Sequence, residues 1–172
     1  DGDFLALSFV NSKDNILAVR KILKEHNSNM KIVSKIESGV ALENLDEIIE
    51  YSDGIMVARG DLGVEIPCEQ IPIVQKQIIN KCREQGKACI VATEMLASME
   101  FAPRPTRAEV SDIANAIIEG TDAIMLSGET ASGSFPIESV ETMNKIVEET
   151  EETFKREKVS FNGDEQSITR VI

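Results

Sequence analysis

The chain has 172 residues, 42% of them hydrophobic and 28% charged, a balance that suits a folded domain or part of a larger one and argues against disorder. Its formal net charge of −12 disfavours nucleic acid and anionic membrane surfaces as partners, since both select basic patches; an anionic substrate then needs a metal ion and a few local cations. No apolar run reaches the roughly 20 residues of a membrane-spanning helix, no basic leader precedes Phe4, and Cys68, Cys82 and Cys89 lack metal-type spacing, so a reducing, cytoplasmic location is expected.

The first predicted strand is Phe4–Val10, followed by a helical stripe of Ile16, Val19, Ile22 and Leu23 with a weak start signal at Ser12 and Asp14. His26 falls at the polar end of that helix, as a solvated cap residue. A second strand, Lys31–Glu37, precedes a stripe of Leu42, Leu45, Ile48 and Ile49. The third strand, Gly54–Arg59, leads to the stripe Ile71, Val74, Ile78 and Cys82, closed by Gly86. The fourth, Ala88–Thr93, leads through Pro103-Arg104-Pro105 to Thr106-Arg107-Ala108-Glu109. That run has the form of a capping box, before a stripe of Ile113, Ile117 and Ile118 closed by Gly120. The last strand, Ala123–Leu126, is followed by a helix from Pro136 to about Phe154 with Val140, Met143, Ile146 and Val147 inward.

Five βα units in succession predict an α/β fold with a parallel sheet. Strands this short and rich in Val and Ile are expected to be covered on both faces. Such units could form an open doubly wound sheet or a segment of a (β/α)8 TIM barrel. No G-x-G-x-x-G follows the first strand, which weighs against a dinucleotide-binding sheet. Cys82 and Cys89 read as packing residues.

Four of the apolar runs turn polar at their carboxyl ends, where parallel sheets keep their active sites. Lys35 and Glu37 are two apart on one strand and therefore project into the same space. Taken alone they read most simply as an ion pair. Asp61 closes the next strand in what reads as a glycine-flanked turn, where Gly60 and Gly63 allow close backbone approach. Two carboxylates from adjacent strands suit Mg2+, with the remaining positions left to water and substrate oxygens. Thr93 ends the fourth strand with a hydroxyl able to bond a carboxylate or a carbonyl. Ser8 and Ser127-Gly128-Glu129-Thr130 lie at the same edge, Glu129 either serving the site or capping neighbouring amides. Arg104 and Arg107 could touch phosphate, but ion pairing within or between chains is the simpler expectation.

The runs VSKIES, SDGIMVARGDLGVEIP, IVATEMLASM, PRPTRAEVSDIANAI and DAIMLSGETASGSFP together resemble the pyruvate kinase family from Phe4 to about Phe154. The resemblance implies that residues 1–157 are strands four to eight of a catalytic (β/α)8 barrel, and that 158–172 begin a C-terminal domain or tail. It implies phosphoryl transfer from phosphoenolpyruvate to ADP, giving pyruvate and ATP in glycolysis. Lys35 would steady the phosphoryl group and the enolate, and Glu37 and Asp61 would hold Mg2+. Gly60 and Asp61 would offer amides to the substrate carboxylate, with Thr93 beside it. K+ ligands, the phosphate-binding arginine and the lid would lie in parts of the family fold that this chain does not carry, so the isolated chain is expected to be inactive. A homotetramer is implied for the full-length enzyme, with Glu100–Asn115 resembling part of a subunit contact. Glu94 departs from the family's usual glutamine; its charge either weakens anionic substrate or points away. The alternatives are a magnesium-dependent lyase or aldolase of a pyruvate enolate, and a non-catalytic folding or assembly fragment.

Overall fold

Residues 2–154 are described by a computed structural model; the segment 158–172, expected to begin another domain, lies outside the described residues. The elements run β1 (Phe4–Leu7), α1 (Lys13–Glu25), β2 (Lys31–Ile36), α2 (Gly39–Glu43), α3 (Leu45–Tyr51), β3 (Gly54–Ala58), α4 (Arg59–Glu65) and α5 (Ile71–Glu84). They continue with β4 (Ala88–Ala92), α6 (Arg107–Glu119), β5 (Ala123–Met125), α7 (Gly128–Ala131) and α8 (Pro136–Thr153). Short 3-10 turns lie at Cys68–Gln70 and Ala97–Glu100.

Among the described residues the five strands pair in parallel, in the order β1-β2-β3-β4-β5. A doubly wound sheet reverses its strand order and carries helices on both faces. Here the order never reverses, and α1 packs on α3, α3 on α5, α5 on α6 and α6 on α8. All of these helices therefore cover one face. On that face Ile32, Ile36, Ile55, Val57, Cys89 and Val91 meet Ile16, Ile48, Ile78, Cys82, Ile113 and Met143 in one buried cluster. The opposite face holds only a small group, Val33, Met56 and Ala92 with Ile90 beside them. A helix-free face lined by one row of side chains from each strand is the interior of a (β/α)8 barrel, so this is an α/β fold forming part of a TIM barrel.

Several expected boundaries shift. Strands predicted as Phe4–Val10, Gly54–Arg59 and Ala88–Thr93 end earlier because Phe9 (φ 53°) and Thr93 (φ 68°) are left-handed and Arg59 already begins a helix. The single stripe from Leu42 to Ile49 divides into α2 and α3 at Asn44, whose side-chain amide donates to the Asn11 carbonyl (2.9 Å). Ile22, Ile118 and Val140 face solvent rather than the core; period 3.6 marks an apolar stripe but not how far the neighbouring element extends. Coverage of both faces holds along β3, which is buried throughout, but not along β1.

Other local signals hold. His26 is the exposed C-cap of α1. Gly120 (φ 101°) and Gly86 (φ 65°) take left-handed conformations after α6 and α5. Two clasps join neighbouring strands in the same way. Asp53 accepts from the Ile32 amide (2.8 Å) and Asp122 from the Cys89 amide (2.8 Å), each just ahead of its own strand.

The capping box at the start of α6 reaches further than its four residues. Glu109 accepts from the Thr106 amide (2.7 Å), the Ser98 amide (2.7 Å) and the Ser98 hydroxyl (2.6 Å). Burial pushes its carboxyl up, but these bonds outweigh burial and hold it below the ordinary value of 4.5. The stabilisation is therefore fully present above that value and is lost as pH falls below it. Glu109→Ala should cost about 2–3 kcal/mol at neutral pH, a cap plus charge-assisted bonds. In urea unfolding the gap between variant and parent should close as the pH is lowered; a gap independent of pH would contradict the assignment.

Candidate active site

The helix-free face opens at the carboxyl ends of the strands, and there the polar side chains gather. Lys35 near the end of β2 and Glu37 just beyond it lie on that face. The Lys35 ammonium lies 2.6 Å from Glu37 Oε1 and donates to the Ser8 hydroxyl at 3.1 Å. Glu37 is only 2% exposed, and its Oε2 accepts from the Phe9 amide at 2.6 Å. Burial pushes the Glu37 carboxyl up. The hydrogen bond and charge of Lys35 and the Phe9 amide together hold it below the ordinary value. Asp61 follows the neighbouring strand β3, whose Val57 pairs with Ile36, and so comes to the same edge as Glu37.

The turn expected around Asp61 is instead the first turn of α4, which follows β3 without a loop. The Gly60 amide is engaged there: it donates to Thr93 Oγ1 at 2.8 Å, while the Thr93 hydroxyl donates to the Ala92 carbonyl at 2.6 Å. Lys35, Glu37, Gly60, Asp61 and Thr93 therefore share one edge, with Thr93 bonded to Gly60 and Lys35 paired with Glu37.

Three non-glycine residues at this edge are left-handed, Phe9 at φ 53°, Thr93 at φ 68° and Glu94 at φ 54°. For β-branched threonine this is uncommon, and each such residue costs about 1–3 kcal/mol, so the surroundings must hold it there. For Thr93 and Glu94 that support is Arg59, a residue sequence reasoning passed over. Its side chain is 7% exposed, and its guanidinium donates to the carbonyls of both Thr93 and Glu94. The signal was present in the sequence as an arginine directly after a fully apolar strand, where an unpaired charge would be costly. Phe9 carried no comparable signal.

Of the ambiguous residues, Ser8 joins the site through Lys35, whereas Glu129 caps neighbouring amides. Glu129 is 2% exposed and accepts from the amides of Leu96 (2.9 Å) and Ser127 (2.8 Å), tying the β5 and β4 loops together. Arg104 and Arg107 are exposed and make no ion pair with any described residue, so the pairing expected within the chain does not occur there. The Glu94 side chain is exposed and lines a cleft of about 390 Å3 with Arg59, Gly60, Gly63 and Asp112. A larger hollow of about 660 Å3, lined by Arg20, Lys24, Asn27 and Lys31, opens at the amino-terminal edge of the sheet, away from this chemistry.

No group of three or more His, Cys, Asp or Glu side chains suited to a metal occurs among the described residues. Magnesium does not require one: at phosphate sites it takes one or two carboxylates and leaves its other positions to water and substrate oxygens. Glu37, just past β2, and Asp61, at the start of α4 after the paired strand β3, are both oxygen donors and fit that ion.

Residues 1–140 match the family model described as pyruvate kinase, barrel domain. The chain is 55% identical over 158 residues to a pyruvate kinase of Bacillus licheniformis, covering 91% of this chain and 27% of that protein. It is 57% identical over 157 residues to one of Clostridium acetobutylicum, covering 91% of this chain and 33% of that protein. A third, from Geobacillus stearothermophilus, is 49% identical over 170 residues, 98% of this chain and 29% of that protein. The chain thus spans about a quarter to a third of the length of the curated relatives it matches. No helix among the described residues is long and apolar enough to cross a membrane. With the barrel model matched over most of its length, the chain belongs to the pyruvate kinase family.

Proposed function

We propose that this chain supplies the acidic half of a phosphoryl-transfer site that moves phosphate from phosphoenolpyruvate to ADP, working within a longer protein. The observation that carries the proposal is the Lys35–Glu37 pair at the carboxyl edge of the helix-free face, with Asp61 at the start of the helix that follows the paired strand β3. Phosphoryl transfer asks little covalent chemistry of the protein and much positioning and charge neutralisation.

Glu37 and Asp61 would hold Mg2+, which when bound neutralises charge on the phosphoryl and enolate oxygens. Lys35 would present a fixed cation to the same oxygens, oriented by Ser8 and Glu37. The substrate carboxylate would lie against the Asp61 amide, whose first-turn position in α4 denies it an intrahelical acceptor, while the Gly60 amide would act through the Thr93 hydroxyl it holds. Thr93 already bonds the Gly60 amide, so its hydroxyl would turn from the Ala92 carbonyl to meet that carboxylate. K+ would be held by residues outside this chain. A homotetramer and a cytoplasmic setting belong to the same reading of the full-length enzyme.

The full-length protein, assayed with phosphoenolpyruvate, ADP, Mg2+ and K+, should form pyruvate and ATP in equal amounts. Aldol cleavage without ADP dependence would favour the lyase alternative instead. The 172-residue chain alone should show no measurable turnover, because the edges of β1 and β5 are unpaired among the described residues. Clear turnover by the isolated chain would overturn that expectation.

A further inference from the structure

The mechanism above makes no use of Arg59, yet its side chain is buried and its hydrogen-bonding capacity is nearly all committed. Nε donates to the Thr93 carbonyl at 3.1 Å, and Nη2 donates to the carbonyls of Thr93 (2.9 Å) and Glu94 (2.8 Å) and lies 2.9 Å from Met95 Sδ. Nη1 pairs with Asp112 of α6 at 2.6 Å and reaches Gln75 of α5 at 3.3 Å. Gln75 is itself fixed by Glu119 of α6 at 2.9 Å.

We propose that Arg59 is a positioning residue for the transfer reaction, holding Thr93 and Glu94 in the left-handed backbone that brings the Thr93 hydroxyl onto the Gly60 amide. This rests on the phosphoryl-transfer reading above. The acceptors of the fork are the carbonyls of the two residues whose backbone is otherwise unfavourable. Two consecutive left-handed residues turn both carbonyls toward one point, and a planar guanidinium can bind both at once. A lysine, with a single ammonium, cannot span them in the same way. Asp112 balances the buried charge, and Gln75 limits the fork's rotation. Arg59 also directly precedes Gly60 in the chain, so one residue sets both partners of the Gly60–Thr93 hydrogen bond.

If Arg59 served stability alone, its removal and that of the Thr93 hydroxyl would act independently. If it acts through Thr93, the two losses overlap. The test uses the full-length protein with Arg59→Lys, Thr93→Ala, the double variant, and Arg59→Lys combined with Glu94→Gly. Arg59→Lys should lower kcat/KM for phosphoenolpyruvate ten- to a hundredfold, and the double variant should lie within about threefold of Thr93→Ala. Glu94→Gly makes a left-handed backbone inexpensive at one of the two positions, so it should restore at least threefold to Arg59→Lys. Losses that multiply, or no restoration by glycine, overturn the proposal.

Should Arg59→Lys fail to fold, Asp112→Asn keeps the guanidinium and removes its charge partner. Its loss of about two- to fivefold should vanish in the Thr93→Ala background, and persistence there counts against the proposal. Hydrogen exchange at the Gly60 amide gives a readout without substrate, because its hydrogen bond is to Thr93 Oγ1. Exchange should be at least tenfold faster in Arg59→Lys. A parent protein without transfer activity whose exchange still responds to Arg59→Lys overturns the phosphoryl-transfer reading and leaves Arg59's hold on the loop in place. Unchanged exchange overturns the role of Arg59 whatever the activity.

Discussion

Asp61→Ala in the full-length protein should lower kcat by about a thousandfold, equivalent to about 4 kcal/mol of transition-state stabilisation. Asp61 is exposed in the first turn of a short helix, so alanine removes a carboxylate without opening a cavity. Thermal unfolding should change by less than about 1 kcal/mol, as for other exposed substitutions. The residual activity should also require more Mg2+, since one of two protein ligands is gone. Initial rates over a magnesium titration check both points. Near-parental rates at low Mg2+ would remove Asp61 from the metal site, while a loss of rate accompanied by unfolding would assign it to the fold.

Lys35→Met should have a second large effect, of a different kind. About a thousandfold loss in kcat is expected from removing a fixed cation at the transferring group. Here stability suffers too. Glu37 is 2% exposed and Lys35 is its ion-pair partner, so methionine strands a buried carboxylate, a change that costs about 3–5 kcal/mol. The double variant Lys35→Met/Glu37→Gln removes the stranded charge and should recover much of that stability while recovering no activity. Urea unfolding read beside the transfer assay separates the two effects. Activity regained together with stability would remove both Lys35 and Glu37 from the transfer site.

These two cases differ because the two carboxylates do. Asp61 sits on a helix start with water around it, and Glu37 lies on the inner face of the sheet, engaged by an amide and an ammonium. On the proposed reading, the pair would combine a ligand tethered by its neighbours with one free to adjust. Arg59 extends the contrast: it touches neither the carboxylates nor Lys35, yet it governs the backbone on which Thr93 stands.

Much of this was legible in the residues alone. The alternation of short apolar runs with stripes of helical period determined five parallel βα units, because a strand repeats every two residues and a helix every 3.6. The change from apolar to polar at the ends of those runs marked Lys35, Glu37, Asp61 and Thr93 as neighbours in chemistry. Glycine after the α5 and α6 patterns, and Thr106 with Glu109, marked helix ends and starts through local backbone demands that need no partner.

Periodicity alone left a doubly wound sheet and part of a barrel both open, and beyond the family resemblance only tertiary structure shows the barrel, since strand order and the side on which helices pack are relations between distant segments. Tertiary structure also decided the break at Asn44, which depends on a bond to Asn11, and the outward turn of Ile22, Ile118 and Val140. The left-handed backbone at Phe9, Thr93 and Glu94 has no local signature either. Nothing in those side chains favours it; contacts made tens of residues away, Phe9 with Glu37 and the Thr93–Glu94 pair with Arg59, hold it in place.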